Sequence, residues 1–406
     1  MKLHTKIFIG LVLGIVAGAI IGPKVAVVKP IGTLFLRLIR MIIVPLVLSS
    51  LVVGAASIGD IKSLGRIGGK TIGLYLVTTA VAVIIGLILG NALVPGVGLN
   101  LSTEGLEFEG KAAPSVVDTL VNIVPKNPMT AMAESNMLQI IVFALALGIS
   151  LGIIGSKGKP VFNFFESLAE TMYKLTGMIM QLAPYGVFAL VAPVVGSHGF
   201  AVMLPLMKVI IAVYLGVFLH WLITYSSMVK VLAKLNPLTF FRAVAPATMY
   251  AFSTCSSSGT LPVTMECAKD NLKISDKVSS FVLPLGATIN MDGTALYQGV
   301  CALFIAQVYG LSLSLGQQLT IVLTATLASI GTAGVPGAGL IMLTLVVTSV
   351  GLPLEGVALI AGIDRILDMI RTSSNVTGDA AVAAVVASSE GENLVEKMAE
   401  EEAARA

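Results

Sequence analysis

The chain alternates long apolar runs with short polar connections, and the pattern changes character about halfway along. Predominantly hydrophobic stretches fall at 7–28, 30–57, 71–94, 137–154, 161–195 and 202–226. Most of them reach the roughly 20 residues that a helix needs to cross a bilayer. A polar connection with proline and glycine, 95–128, separates the third run from the fourth. In the C-terminal part, small polar residues break the apolar segments at "STCSSSGTLP" (253–262) and "SIGTAGVPGAG" (329–339). Glycine and proline at that density oppose a continuous helix, and a broken backbone inside lipid must be buried in protein or line a wet cavity. Each break therefore predicts a hairpin that enters the membrane and turns back. Each is followed by a segment that reads as a polar helix, "GATINMDGTALYQ" (286–298) after the first and "ILDMIRTSSNVTGD" (366–379) after the second. Twofold repetition of broken elements is a common way for secondary transporters to build a site. The charged end after Ser388 predicts a solvated helix or a disordered tail.

Composition sharpens this to an all-α integral membrane protein. Hydrophobic residues make up 56% of the 406, charged residues 12%, and mean hydropathy is +0.96. A soluble domain carries about twice that charge. Lys2 and Lys6, then Lys62, Arg66 and Lys70, then Lys157 and Lys159, then Lys230, Lys234 and Arg242, then Lys269, Lys273 and Lys277 occupy alternate connections. By the positive-inside rule these face the cytoplasm, with both termini. A secretory-signal reading of Lys2, Lys6 and "AGA" at 17–19 fails because the hydrophobicity continues past it. The net charge of +3 is dispersed, which opposes a nucleic-acid surface. Cys255, Cys267 and Cys301 have no CxxC spacing and read as packing residues, and His4, His198 and His220 are too scattered for a ligand cluster. Trp221, the single tryptophan, reads as an interface anchor or core filler.

Residues three or four apart share a helix face, so Asp364, Asp368, Arg371, Thr372, Asn375 and Asp379 form one polar stripe. Each ionisable group at the centre of a lipid-embedded helix costs about 2.5–3.5 kcal/mol on insertion scales. Two readings compensate for that cost. Asp368 and Arg371 satisfy each other as a structural ion pair, or the stripe grips a solute. The stripe has more acceptors than one arginine uses, and both hairpins lie near it in sequence. On the second reading Arg371 takes a carboxylate in a fork that lysine cannot reproduce. Asp368 accepts an ammonium, and the amides of Ser256–Ser258 take a second carboxylate. The oxygens of "NMDGT" (290–294) and "NVTGD" (375–379) suit a hard cation, with sodium or a proton as the coupling ion. The alternative is that Asn290 and Asp292 cap a broken helix. Tyr75, Thr78 and Thr79 decide nothing alone. A nucleophilic role for Ser256–Ser258 lacks an adjacent base in a recognisable motif. A pore lined by the stripe is the rival from another class, and counterflow separates it from a carrier.

The motifs "SSSGTLPVT" (256–264), "LPLGATINMDGTALYQ" (283–298), "SIGTAGVPGAG" and "RTSSNVTGD" (371–379) resemble those of the dicarboxylate/amino acid:cation symporters, in the same order over nearly the whole chain. That family includes excitatory amino acid transporters and archaeal sodium-coupled aspartate transporters. The resemblance implies a homotrimer in the cell membrane, in contact with lipid. Each subunit would have eight spans, two re-entrant hairpins and inverted repeats, and would work as an elevator. The implied division is scaffold at 1–67, a third transport span and extracellular loop at 68–127, scaffold at 128–196, transport domain at 197–388 and tail at 389–406. Implied substrate residues are Ser257, Thr294, Val335, Gly339, Asp368, Arg371, Thr372 and Asn375. Implied sodium ligands are Gly286, Asn290, Asn375 and Asp379 at one site, Thr288, Ser329, Ile330 and Thr332 at another, and Tyr75, Thr78, Thr79, Asn290 and Asp292 at a third.

By the same resemblance, the C4-dicarboxylate branch lacks the aspartate found here as Asp368, and the neutral amino acid branch lacks the arginine found here as Arg371. Retaining both points to L-aspartate or L-glutamate, with sodium and not an organic cofactor, and with proton coupling as the same-fold alternative. The chain departs from the family at Cys255 and Met369, where one or the other position usually carries an arginine. Arg365 is the candidate electrostatic substitute.

Overall fold

The computed structural model describes residues 3–59, 66–99, 121, 124–134, 136–198, 203–330, 332, 334 and 337–398. Lys2, Lys62, Glu104, Glu107, Glu109 and Val335 lie outside it. Among the described residues all regular structure is helical. The N-terminal helices are α1 (Leu3–Ile21), α2 (Lys29–Gly59), α3 (Arg66–Leu93), the short α4 (Pro128–Ala133), α5 (Met137–Ile154), α6 (Lys159–Met180) and α7 (Ala183–His198). The single long span read at 161–195 is therefore two helices. Pro184 has no N–H for the carbonyl one turn back, so the ladder stops at Gln181–Leu182 and restarts.

The remaining helices are α8 (Met203–His220), a π-helical turn (Trp221–Tyr225), α9 (Ser226–Val231), α10 (Pro237–Thr254), α11 (Ser257–Glu266), α12 (Asp276–Ile289), α13 (Asp292–Val308), α14 (Leu315–Ser329), α15 (Ala338–Ser349), α16 (Glu355–Ala361) and α17 (Asp364–Ser389). Local sequence sets their ends. Asn236 caps α10 by accepting from the Leu238 N–H, and Ser314 with Gln317 forms a capping box on α14. Both predicted hairpins are present as helix pairs whose arms pack on each other, α10 on α11 and α14 on α15. The first turns at Cys255, in the left-handed region with φ 56°, and at Ser256, whose Oγ caps α11 from 3.0 Å. The segment 286–298 is not one helix. Asn290 and Met291 leave helical backbone angles, so α12 ends and α13 begins inside the motif.

Packing sorts the helices into two groups. One comprises α1 against α7, and α2 against α5, α6 and α7. In the other, α13 and α17 form the centre, with α3, α8, α10, α12 and α14 around them. Every residue of α13 except Gln307 is buried, and so is the whole run from Arg371 to Ala387 in α17. Meanwhile Ile20, Val27, Leu34 and Met41 of the first group are exposed. Apolar groups outside and polar groups inside are what a bilayer solvent demands. Four stretches among the described residues are long and apolar enough to span it, Ile9–Phe35, Arg66–Leu93, Gln139–Ile179 and Met203–Val231.

The described part of the tail, 390–398, is tied to the helices before it. Glu390 receives Arg66 through a bidentate pair, Nε at 3.0 Å and Nη2 at 2.8 Å, and Lys70 Nζ at 2.8 Å. Glu392 accepts from the Ser275 N–H at 3.0 Å, at the start of α12, and Leu394 is buried. Hydrogen bonds from Arg66 and then Lys70 hold the Glu390 carboxyl down to about 2, from an ordinary 4.5. A depressed carboxyl stabilises the fold fully above its unfolded value and loses that contribution as pH falls toward the folded one. The expected result is that Glu390→Gln lowers the thermal midpoint at neutral pH. Between pH 4.5 and about 2 the wild type should lose its advantage over the variant in a melting series.

Candidate functional site

The two hairpin tips, the break between α12 and α13, and the middle of α17 converge on one point. Cys255, Ser257, Thr294, Thr332, Gly334, Gly339, Asp368, Thr372 and Asn375 line a cavity of about 10 Å³ there. That is room for roughly one water molecule, so the tips are closed over the side chains in this conformation. They also bond to each other. The Ser258 N–H donates to the Gly334 carbonyl at 3.1 Å, and Ser256 Oγ donates to the same oxygen at 2.9 Å. The Ser258 amide, expected to be free for a carboxylate, is thus engaged across the tips. Arg365 fastens the first hairpin from the side, its Nη2 donating to the Ser253 carbonyl at 3.0 Å.

Arg371 sits just behind the cavity and is 0% exposed. Its Nη1 donates to Asp364 Oδ1 at 2.7 Å, and the guanidinium carbon lies 4.1 Å from the centroid of the Tyr297 ring. Asp368 Oδ1 is 2.9 Å from Nη2, an ion pair without an aligned hydrogen bond. Among the described residues, Nε and Nη2 have no hydrogen-bond partner. These two nitrogens form one edge of the guanidinium, the edge that meets a carboxylate with two parallel N–H groups. Leaving the Nε donor buried without a partner costs about 1–3 kcal/mol, while Nη2 keeps the Asp368 carboxylate at 2.9 Å. Gly339 permits the approach, since a Cβ there would stand 2.9 Å from Arg371 Cζ and Nη2.

Asp368 connects this arginine to the second hairpin. Its Oδ2 accepts from the Gly337 N–H at 3.1 Å, and Oδ1 accepts from Thr372 Oγ1 at 3.3 Å. Gly337 holds φ at +84°, a left-handed conformation in which glycine has no Cβ penalty. Asp368 and Arg371 are thus paired, as the ion-pair reading has it, and the pair lies against Gly337 and Gly339 of the second hairpin. Six of the eight residues that the resemblance implies for substrate, Ser257, Thr294, Gly339, Asp368, Thr372 and Asn375, line the cavity. Arg371 flanks it, and Val335 lies outside the described residues.

Of the cation residues, two groups come together. Asn290 Nδ2 donates to Asp379 Oδ1 at 3.0 Å, while Asn290 Oδ1 is buried without a partner. Gly286 packs against Asp379 and the Tyr75 hydroxyl. The helix break frees the Gly293 N–H, which donates to Asn375 Oδ1 at 2.8 Å. On the other side, Asp292 Oδ1 accepts from Thr79 Oγ1 at 2.7 Å and Thr78 Oγ1 at 3.3 Å. Tyr75 donates to the Val282 carbonyl at 2.9 Å and so sits on the Asp379 side. The third group is looser. Thr288, Ser329 and Thr332 donate to Leu285, Thr326 and Ala328, carbonyls of their own helical turns.

Sequence reasoning gave no role to four residues that the structure puts in the site. Asp364 is the tightest partner of Arg371, and Tyr297 stacks on it. His220 and Tyr225 reach Asp292 from another helix. Asp364 was visible in the stripe, seven residues before Arg371.

The model of the sodium:dicarboxylate symporter family matches residues 3–389. The chain belongs to this family. It is 42% identical over 403 residues to a proton/sodium-glutamate symport protein of Geobacillus stearothermophilus, covering 97% of this chain and 95% of that one. It is 38% identical over 408 residues to a proton/glutamate-aspartate symporter of Escherichia coli, covering 95% and 92%. An excitatory amino acid transporter of Caenorhabditis elegans is 38% identical over 403 residues, covering 87% and 80%. For a sodium:dicarboxylate symporter family member, oxygen-rich pockets beside a buried guanidinium are the feature to explain.

Proposed function

We propose that this protein is a secondary active symporter that imports L-aspartate or L-glutamate with sodium. The observation that carries this reading is the unmet Nε/Nη2 edge of Arg371, buried next to Asp368 and beneath both tips. A guanidinium edge and a carboxylate side by side complement a solute with a side-chain carboxylate and an ammonium. Arg371 takes the carboxylate, Asp368 takes the ammonium, and Asn375 and Thr372 hold the backbone of the solute. Ser257 and Thr294 complete the pocket from the first hairpin and α13. Sodium occupies the oxygens around Asp379 with Asn290, and around Asp292 with Thr78 and Thr79. The Thr288, Ser329, Ile330 and Thr332 set assembles when the second hairpin closes on cargo. The family and the named relatives, all transporters, support transport and not catalysis.

Entry requires the tips to part, because the closed cavity holds roughly one water. The second hairpin is the gate, released when substrate ammonium takes Asp368 from the Gly337 N–H. The sorting of the helices into two packed groups, one of them centred on α13 and α17, supports a moving transport part on a fixed scaffold, working as an elevator in a plasma-membrane homotrimer. Lysine and arginine in alternate connections support cytoplasmic termini.

The coupling ion is tested in proteoliposomes. Uptake of labelled L-aspartate and L-glutamate driven by an inward sodium gradient, with no pH gradient, is the expected result, together with saturation and counterflow. The names of two relatives favour proton coupling as the second reading. Uptake driven by a pH gradient alone selects that reading, and flux without counterflow contradicts a carrier.

A further inference from the structure

The helix α8 does not run straight into α9. A π-helical turn, Trp221–Tyr225, interrupts it, one of two such turns among the described residues with Cys267–Asn271, and such local insertions are frequent at functional sites. In an uninterrupted α-helix, residues five apart lie about 140° apart around the axis. Here His220 and Tyr225 stack edge to face, with ring centroids 4.6 Å apart. Both are 0% exposed, and both aim at one atom. Tyr225 O–H donates to Asp292 Oδ2 at 2.8 Å, with the Ser374 carbonyl its second acceptor at 3.1 Å. His220 Nε2 stands 3.3 Å from the same Oδ2. A carboxylate oxygen accepts, so Nε2 carries the hydrogen, and Nδ1 is left buried without a hydrogen-bond partner among the described residues. Among the described residues the polar contact of this buried ring is therefore the one to Asp292.

We infer that His220 and Tyr225 are positioning residues for a sodium site: they hold Asp292 Oδ2 and so keep Oδ1 turned to Thr78 and Thr79. The inference rests on the reading of Asp292 as a sodium ligand. Without the two donors the carboxylate can rotate about its Cβ–Cγ bond, and its inner oxygen no longer stays between the two threonines. Partners that orient a metal ligand are worth about 10–100-fold in metal affinity. Because the π turn also carries Trp221, whose Nε1 donates to Ser374 Oγ at 3.3 Å, its emission reports on the site. It is the single tryptophan of the chain.

The test is sodium titration of the purified full-length protein, read by Trp221 emission without substrate and by L-aspartate uptake in proteoliposomes. Tyr225→Phe, which deletes one oxygen atom, and His220→Leu should each raise the sodium concentration for half-saturation about ten-fold. The half-saturation for L-aspartate at saturating sodium should stay at the wild-type value, and His220→Gln, which keeps a donor, should restore the wild-type sodium response. Should His220→Leu not fold, Tyr225→Phe decides. Unchanged sodium half-saturation in Tyr225→Phe overturns the inference, as does a loss of L-aspartate affinity of equal size at saturating sodium. Wild-type protein indifferent to sodium in both readouts overturns the underlying sodium reading, and that outcome appears before any substitution is made.

Discussion

Arg371→Cys is expected to abolish saturable uptake of L-aspartate and L-glutamate while the protein remains folded. The two charge-assisted hydrogen bonds proposed between the Nε/Nη2 edge and the substrate carboxylate would be lost together, each worth about 1.5–3 kcal/mol. A loss of about 3 kcal/mol or more is over a hundred-fold in affinity. The buried surroundings give the control experiments. Asp364 lies 2.7 Å from Nη1 and Asp368 2.9 Å from Nη2, so the cysteine leaves two carboxylates without their cation. Pairing Arg371→Cys with Asp364→Asn removes one of those charges and should recover thermal stability without recovering uptake. Arg371→Lys keeps a cation for both carboxylates but has no planar fork, and it too should fail to concentrate aspartate. Unchanged aspartate uptake in Arg371→Cys would refute its role.

Asp292→Asn has the second largest expected effect. Thr79 and Thr78 donate to Oδ1, Tyr225 donates to Oδ2, and His220 faces Oδ2 at 3.3 Å. In the amide one of the two accepting oxygens becomes an NH2, so the hydroxyls that donate to it must turn to other acceptors, as Thr78 can to the Tyr75 carbonyl and Tyr225 to the Ser374 carbonyl. The negative charge offered to a cation is also gone. The sodium concentration for half-maximal uptake should rise by about a hundred-fold or more, equivalent to about 3 kcal/mol. The measurement is uptake at saturating L-aspartate against sodium concentration. A wild-type sodium curve would remove Asp292 from the cation site.

What helical spacing alone reveals of the site lies on a single element. Asp368, Arg371, Thr372 and Asn375 follow helical spacing along α17, and one helix is enough to predict a common face. Hairpins were legible because glycine, serine and proline cannot continue a helix in lipid, and the turn at Cys255–Ser256 falls inside the quoted motif. The break at Asn290 was half legible: its residues read as a cation site, yet the segment also read as one helix. What escaped depends on contacts between elements. His220 and Tyr225 lie 72 and 67 residues before Asp292, and a π turn leaves no hydrophobic periodicity to find. The choice of Asp364 over Asp368 as the bonded partner of Arg371 is set by Tyr297 and Gly339 pressing on the guanidinium, neither of them on α17. Pro184 could have been read from sequence alone as the place where the span at 161–195 divides.

The most direct test of the central claim is displacement of radiolabelled L-aspartate from the purified protein in sodium by unlabelled L-aspartate, succinate and L-serine. Succinate lacks the ammonium that Asp368 is proposed to hold, and L-serine lacks the carboxylate proposed for Arg371. The account predicts that L-aspartate displaces the label at concentrations about a hundred-fold or more below either competitor, because a site built for a polar group rejects the analogue without it. Displacement by succinate or L-serine at the same concentration as L-aspartate would contradict it.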